Sequence, residues 1–99
     1  MPKDEARAAG LFAQACQGGH PLSCRNVLGL EAQAGHPEKA AEALHRLEKA
    51  CQDGEAAACH QLGSIYDHGV GVTADRVRAG GYYRKACTGG EEESCARVR

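Results

Sequence analysis

Six cysteines form three pairs of one spacing, and the pairs recur every 35 or 36 residues along the 99-residue chain. Each pair lies in a matching phrase: ACQGGHPLSC, then ACQDGEAAAC, then ACTGGEEESC. An alanine precedes the first cysteine of each phrase, and a glycine stands three residues after it. The chain is therefore built from an internal repeat, and the paired cysteines are Cys16 with Cys24, Cys51 with Cys59, and Cys87 with Cys95.

The spacing within each pair predicts a break in the helix. In one continuous α-helix, residues eight apart would be separated by about 12 Å along the axis, roughly twice the Cα separation that a disulfide tolerates. Residues that end helices or permit tight turns lie inside every phrase. They are Gly18, Gly19 and Pro21, then Asp53 and Gly54, then Gly89 and Gly90. Each phrase therefore predicts a helix, a turn and a second helix, with a disulfide clamping the corner.

Two other states of the cysteines stay open at this point. Thiolates and imidazoles form zinc sites, but zinc ligands usually stand about two to four residues apart. Cys59 and His60 are adjacent in the sequence, but the side chains of adjacent residues diverge on a helix and cannot bind one metal ion together. Free buried thiols are the other state, because the chain shows no secretion signal. Disulfides are the preferred interpretation, and no metal or cofactor is expected.

Composition narrows the class of protein. Alanine is abundant, tryptophan is absent and only four residues are aromatic, which suits closely packed helices. The net charge of −1, with mixed signs, gives no basic surface for nucleic acid or for an anionic membrane. No apolar run approaches the about 18 residues of a membrane span. The N-terminus shows no hydrophobic leader. If a leader has been removed, we expect a secreted or periplasmic protein; otherwise the location is open.

Apolar residues recur in three- and four-residue steps, which predicts amphipathic helices. The first is expected to bury a stripe made of Ala8, Leu11, Phe12, Ala15 and Cys16. The expected helices lie near residues 4–17, 21–34, 37–52, 55–68 and 75–88, with a short last one from about 91. We expect one domain, 1–99, with repeats at about 4–36, 37–72 and 73–99, the last one truncated.

The stretch CHQLGSIYDHGVGVTADRVRAGGYYRKAC resembles the SEL-like repeat, a relative of the tetratricopeptide repeat. The matching positions are Leu62 and Gly63, Tyr66, Gly69, Gly71 and Val72, Asp75, Tyr82 and Tyr83, and Lys85 and Ala86. The paired cysteines make the chain similar to the disulfide-laced Hcp-type cysteine-rich proteins, which are often described as beta-lactamases. In the first repeat Leu28 and Gly29 match, but Ala32 replaces the tyrosine. There AGHPEK replaces the glycine-rich loop, which predicts a shorter link between repeats.

This resemblance implies an all-α fold. The expected architecture is a right-handed α/α solenoid of about two and a half helix-turn-helix repeats, held by three within-repeat disulfides. The implied function is that of a protein- or peptide-binding scaffold or adaptor without catalytic activity. The family name alone implies an alternative, a hydrolase or binder of beta-lactams or cell-wall peptides. A redox-active thiol protein is a third hypothesis.

The residues themselves predict no catalytic site. A serine beta-lactamase needs a lysine one helical turn after its serine, but the residues three positions after the three serines are Asn26, Asp67 and Arg97. The five histidines are expected on turns and exposed helix faces, without the spacing of a metalloenzyme. We therefore expect no catalytic, cofactor-binding or metal-binding residues.

The surface offers the remaining candidates. Stacked helical hairpins expose a concave face lined mainly by the first helix of each repeat, and repeat proteins bind partners there. The short last helix is expected to leave Val77 and Tyr83 partly covered, which predicts either that the chain is a piece of a longer array or that it self-associates through its C-terminal end. The residues expected to bind a protein or peptide ligand are Gln14, His45, Arg46, Lys49, Tyr82, Arg84 and Lys85.

Overall fold

The structure, a computed structural model, describes the backbone of residues 2–98 and the side chains of residues 10–98. Six helices and no strand occur in this range, and their bounds differ from the expected ones by at most two residues. None of these helices is both long and apolar enough to cross a membrane. The helices are α1 (Pro2–Gln17), α2 (Pro21–Gln33), α3 (Pro37–Gln52), α4 (Ala56–His68), α5 (Arg76–Thr88) and α6 (Glu92–Arg97).

The first helix of each repeat ends at a glycine in the left-handed conformation. The φ angles of Gly19, Gly54 and Gly90 are 93°, 96° and 101°. The N–H of Gly19 donates to the carbonyl of Cys16 at 3.0 Å, and the next N–H donates to the carbonyl five residues back, also at 3.0 Å. The same two hydrogen bonds recur in the other two phrases. This pattern is the Schellman motif, which ends a helix by satisfying its last carbonyls.

Each turn brings the last part of one helix beside the first turns of the next, and a disulfide joins the two. The Cα separations are 4.5, 4.7 and 4.7 Å, within the range that the bond requires. No cysteine is left free, so thiolate metal ligation and free thiols are both excluded in this structure. The predicted pairing is confirmed: Cys16–Cys24, Cys51–Cys59 and Cys87–Cys95.

The three hairpins stack into an elongated solenoid. Each helix packs against the next one along the chain, α1 also packs against α3, and α2 also packs against α4. The described part measures 41 × 25 × 21 Å. The expected fold class, an all-α solenoid with three within-repeat disulfides, is thereby confirmed.

The core runs along the inside of this stack. Its largest apolar side chains, Leu28, Leu47, Leu62 and Ile65, are at most 1 % exposed. Buried alanines fill the space between them, and their small side chains let the helices approach closely. These alanines are Ala40, Ala43, Ala58, Ala79 and Ala86.

The expected stripe on α1 is only partly correct. Cys16 is buried and Phe12 is half-buried, but Leu11 is 60 % exposed. Only α2 and α3 are available to cover α1 among the described residues, so a residue on the outer flank of its apolar stripe stays in solvent. The side chain of Ala8 lies outside the described residues.

The links between repeats differ in length, as the sequence predicts. Helices α2 and α3 are joined by residues 34–36, whereas α4 and α5 are joined by residues 69–75. The longer link folds back onto α2. A Cβ placed on Gly71, where φ is 68°, would lie 3.0 Å from Cδ1 of Leu28. The glycine-rich loop thus packs against the preceding repeat, which gives its glycines a structural role.

Val77 and Tyr83 are both expected to be only partly covered. This is correct for Val77, which is 89 % exposed, and wrong for Tyr83, which is 3 % exposed. The ring of Tyr83 lies 5.5 Å from the ring of His60 and 5.8 Å from the guanidinium carbon of Arg97. These contacts come from α4 and α6, which together cover the ring. Self-association stays a prediction, and Tyr83 offers no surface for it.

Candidate functional site

A surface groove of about 480 Å³ lies between α3 and α5, the first helices of the second and third repeats. It brings together four of the seven residues expected to bind a partner, namely His45, Lys49, Tyr82 and Lys85. Glu48, Cys51 and Gln52 complete its lining. We call it the α3–α5 groove.

The helical periodicity explains why these side chains share one surface. On α3, His45, Glu48 and Gln52 follow one another in steps of three and four residues and therefore lie on one face. The neighbouring face carries Ala43 and Leu47 into the core. On α5, Tyr82 and Lys85 likewise stand three residues apart, beside the buried Tyr83 and Ala86. The groove thus runs along the edge of the core, between one helix of the second repeat and one of the third.

The charges at the groove are only loosely paired. Nζ of Lys49 lies 4.0 Å from a carboxylate oxygen of Asp53, and Nδ1 of His45 lies 3.6 Å from Oε1 of Glu48. Such exposed pairs contribute about 0–1 kcal/mol. Lys85 forms no ion pair with any residue that the structure describes. The groove therefore presents ammonium groups that an incoming ligand can reach.

Tyr82 gives the groove a rigid aromatic wall. Its ring stacks on that of Tyr66, with centroids 5.7 Å apart and planes 14° apart. Arg78 lies over the Tyr66 ring at 5.0 Å and donates from Nη1 to its phenolic oxygen at 3.3 Å. Burial raises the pKa of Tyr82, the Glu48 carboxylate raises it further, and Arg78 opposes both. The Tyr82 phenol therefore stays protonated at neutral pH and can donate a hydrogen bond.

Tyr66, Arg78 and Glu48 are not among the seven residues that the sequence predicts to bind a partner. Tyr66 was visible as a position of the repeat pattern, but its contact with Tyr82 joins residues of two repeats. Arg78 could not be assigned from periodicity alone, because its exposed side chain lies over the Tyr66 ring and donates to its phenolic oxygen. Such contacts between repeats depend on how the hairpins stack.

The other three predicted residues lie apart from the groove. Gln14 is exposed on α1, and Arg84 is exposed on α5. Arg46 lies on the other side of α3, where it donates from Nη2 to Glu42 at 3.4 Å and borders a separate cleft of about 380 Å³ between the first three helices. The seven candidate residues therefore do not all share one surface.

A second polar cluster joins α4 to α6. Nδ1 of His60 and the hydroxyl oxygen of Ser94 are 2.6 Å apart, and Nε2 of His60 lies 3.9 Å from a carboxylate oxygen of Glu93. The expectation that every histidine is exposed is thus wrong for His60, whose side chain is 13 % exposed. Ser94 is 0 % exposed. The pair serves as a buried hydrogen bond between repeats, since no substrate can reach the Ser94 hydroxyl in this conformation.

Across residues 10–98, no three histidine, cysteine, aspartate or glutamate side chains are grouped so that they could hold a metal ion. All six sulfurs are engaged in disulfides. Three disulfides in a chain of this size are typical of oxidising compartments outside the cytosol.

Comparison with known proteins agrees with the fold. The sequence profile of the Sel1 repeat matches residues 1–20 and 56–91, more than half of the chain. The unmatched residues 21–55 include Ala32 and the short link 34–36, where the sequence departs from the repeat pattern. Searches of curated proteins and of solved structures gave no match. The chain belongs to the Sel1 repeat family, whose repeats generally mediate protein–protein interaction.

Proposed function

We propose that this protein is a non-catalytic interaction scaffold that binds a peptide segment of a partner protein in the α3–α5 groove. In this proposal, residues 1–99 act as one repeat domain. The observation that carries the proposal is the convergence of His45, Lys49, Tyr82 and Lys85 from two repeats on one groove. Tyrosine is enriched among the residues that dominate binding energy at protein interfaces.

The groove has dimensions that suit a short segment. Its volume of about 480 Å³ falls within the range of small-ligand sites, about 300–1,000 Å³, and accommodates a few side chains of an extended peptide. Tyr82 is held by its stack on Tyr66, so it loses little rotamer freedom on binding. A preorganised wall of this kind lowers the entropic cost of association.

The alternative, a hydrolase of beta-lactams or cell-wall peptides, draws no support from the serine clusters. Ser94 is fully buried beside His60. Ser23 is also buried, and its hydroxyl lies 2.9 Å from Nδ1 of His20, the residue that caps the N-terminus of α2. A chromogenic cephalosporin assay separates the two functions. Turnover by the purified protein, abolished by substitution of a single residue, would overturn the scaffold proposal.

The direct test is selection from a random peptide display library on immobilised protein with its disulfides intact. Selected peptides are expected to lose binding to His45→Ala and Lys49→Ala, because both side chains are exposed in the groove and their removal leaves the core untouched. The matched control is Lys39→Ala on the same helix, which lies outside the groove. Peptides that bind all three variants and the parent equally would refute the groove as the binding site.

A further inference from the structure

Helix α5 is the most cationic element of the described chain. Between Arg76 and Thr88 it carries Arg76, Arg78, Arg84 and Lys85 and no acidic residue. The whole chain has a net charge of −1, so this excess of positive charge is local. A single helix of this charge creates a positive potential within a Debye length of its surface, about 8–10 Å at ordinary salt.

Intramolecular partners neutralise only part of this charge. Arg76 lies 3.8 Å from a carboxylate oxygen of Asp67, which offsets its charge, whereas Arg78 lies over the uncharged ring of Tyr66 and keeps its charge. Arg84 and Lys85 form no ion pair with the described residues, and both are exposed. Lys85 also lines the α3–α5 groove, opposite Lys49 on α3. The positive surface of α5 thus continues into the groove.

The chemistry of the groove matches a carboxylate ligand. Lys49 and Lys85 supply ammonium donors from its two walls, and Tyr82, whose phenol is protonated, also lines it. The lining holds one carboxylate, Glu48, against these two ammonium groups. Charge-assisted hydrogen bonds to carboxylates are about twice as strong as neutral ones.

We propose that the segment bound in the α3–α5 groove is an acidic polypeptide segment, whose carboxylates pair with Lys49 and Lys85. This inference rests on the proposed function and names the chemistry of its ligand. A folded or unfolded partner protein supplies the segment, and its remaining acidic residues lie along Arg84.

The geometry favours an acidic peptide over a nucleic acid. The thirteen residues of α5 give a cationic ridge of about 20 Å, too short for a continuous phosphate track. After two glycines, Glu91, Glu92 and Glu93 follow its C-terminal end. These three carboxylates repel a polyanion that runs past the end of the helix, whereas a short acidic segment can end before them.

The first arm of the test measures fluorescence anisotropy with a labelled glutamate-rich peptide and its glutamine counterpart of equal length. The glutamate peptide is expected to bind, with an affinity that falls as salt rises, and the glutamine peptide is expected to bind at least about tenfold more weakly. Lys85→Glu is expected to lower the affinity for the glutamate peptide by about tenfold. Lys39→Glu, an identical charge change outside the groove, is expected to have little effect.

Equal binding of the glutamate and glutamine peptides, or equal weakening by Lys85→Glu and Lys39→Glu, would overturn the inference. A single-stranded oligonucleotide of the same charge that binds more tightly than the peptide would also overturn it. The composition of peptides selected from the random library separates a failure of the acidic-ligand inference from a failure of the proposed function. Groove-dependent peptides without acidic residues would refute the acidic ligand and leave the proposed function standing, whereas an absence of groove-dependent peptides would refute the proposed function.

Discussion

The backbone of Gly63, in the middle of α4, lies directly against the ring of Tyr83 on α5. A Cβ placed on Gly63 would be 2.6 Å from Cδ1 and Cε1 of that ring, closer than carbon atoms pack. The sequence predicts a close helix crossing at this glycine, since glycine inside a helix costs about 1 kcal/mol relative to alanine. The crossing element is a tyrosine ring from the next repeat.

Gly63→Ala is therefore expected to lower the free energy of unfolding by about 1 kcal/mol. Overpacking against a buried ring costs about 1–3 kcal/mol, and improved helix propensity returns about 1 kcal/mol. The control is Gly81→Ala on α5, where a Cβ meets no atom within 4 Å, and that variant is expected to be stabilised by up to about 1 kcal/mol. Urea denaturation measures both. Equal stabilisation of the two variants would contradict the crossing.

Reduction of all three disulfides is expected to lower Tm by several degrees or more. A disulfide that closes a loop with a sequence separation of 8 contributes about 2.5 kcal/mol in the chain-entropy description. A domain of this size loses about 4–8 °C per kcal/mol. Thermal melts followed by circular dichroism, with and without reductant, provide the measurement. An unchanged Tm after complete reduction would refute this role of the disulfides.

One of the three disulfides, Cys87–Cys95, is expected to open before the other two. Cys87 and Cys95 are half-buried, whereas Cys16, Cys24, Cys51 and Cys59 are 3–4 % exposed. A thiolate must reach a sulfur atom to exchange with it, so limiting thiol reductant should open Cys87–Cys95 first. Alkylation of the released thiols followed by peptide mass spectrometry reports the order. Earlier labelling of Cys51 and Cys59 would contradict the prediction.

Ser94→Ala is expected to destabilise the chain by about 1–3 kcal/mol, because it removes the buried partner of His60 and leaves a ring nitrogen without its 2.6 Å hydrogen bond. Thr88→Ala, a hydroxyl removal at an exposed site of α5, serves as the control, with a change of at most about 0.5 kcal/mol. Chemical denaturation compares them. Similar small effects for both variants would show that the contact between α4 and α6 contributes little.

Stability is expected to fall at alkaline pH through the buried phenol of Tyr83. Burial raises the pKa of Tyr83 above its ordinary value of 10.0, and Asp67 adds to this effect while Arg97 opposes it. The folded state therefore holds the phenolic proton more tightly than the unfolded state does. This stability is fully present below pH 10 and is lost as the pH rises through the folded pKa.

Tyr83→Phe removes the titrating group and keeps the ring that packs on Gly63. The variant is expected to lose less stability than the parent between neutral pH and the range above pH 10. Denaturation midpoints at a series of pH values measure the difference. Parallel pH profiles for the two proteins would refute the contribution of Tyr83.

The sequence by itself determined the local structure and the covalent links. The glycine three residues after each first cysteine ends a helix because glycine adopts positive φ without strain, and the equal cysteine spacing across that turn leaves one short-range pairing pattern. Both are decided within about ten consecutive residues, so the helix bounds and the three disulfides could be predicted.

Only the tertiary structure decided which residues of different repeats meet. The stack of Tyr66 on Tyr82, the hydrogen bond of His60 to Ser94 and the covering of Tyr83 by α6 all join distant positions. The division of the seven predicted surface residues between the α3–α5 groove and other faces has the same origin. Periodicity states which side of a helix is apolar, whereas the angle and offset between stacked hairpins arise from side-chain packing across the whole core.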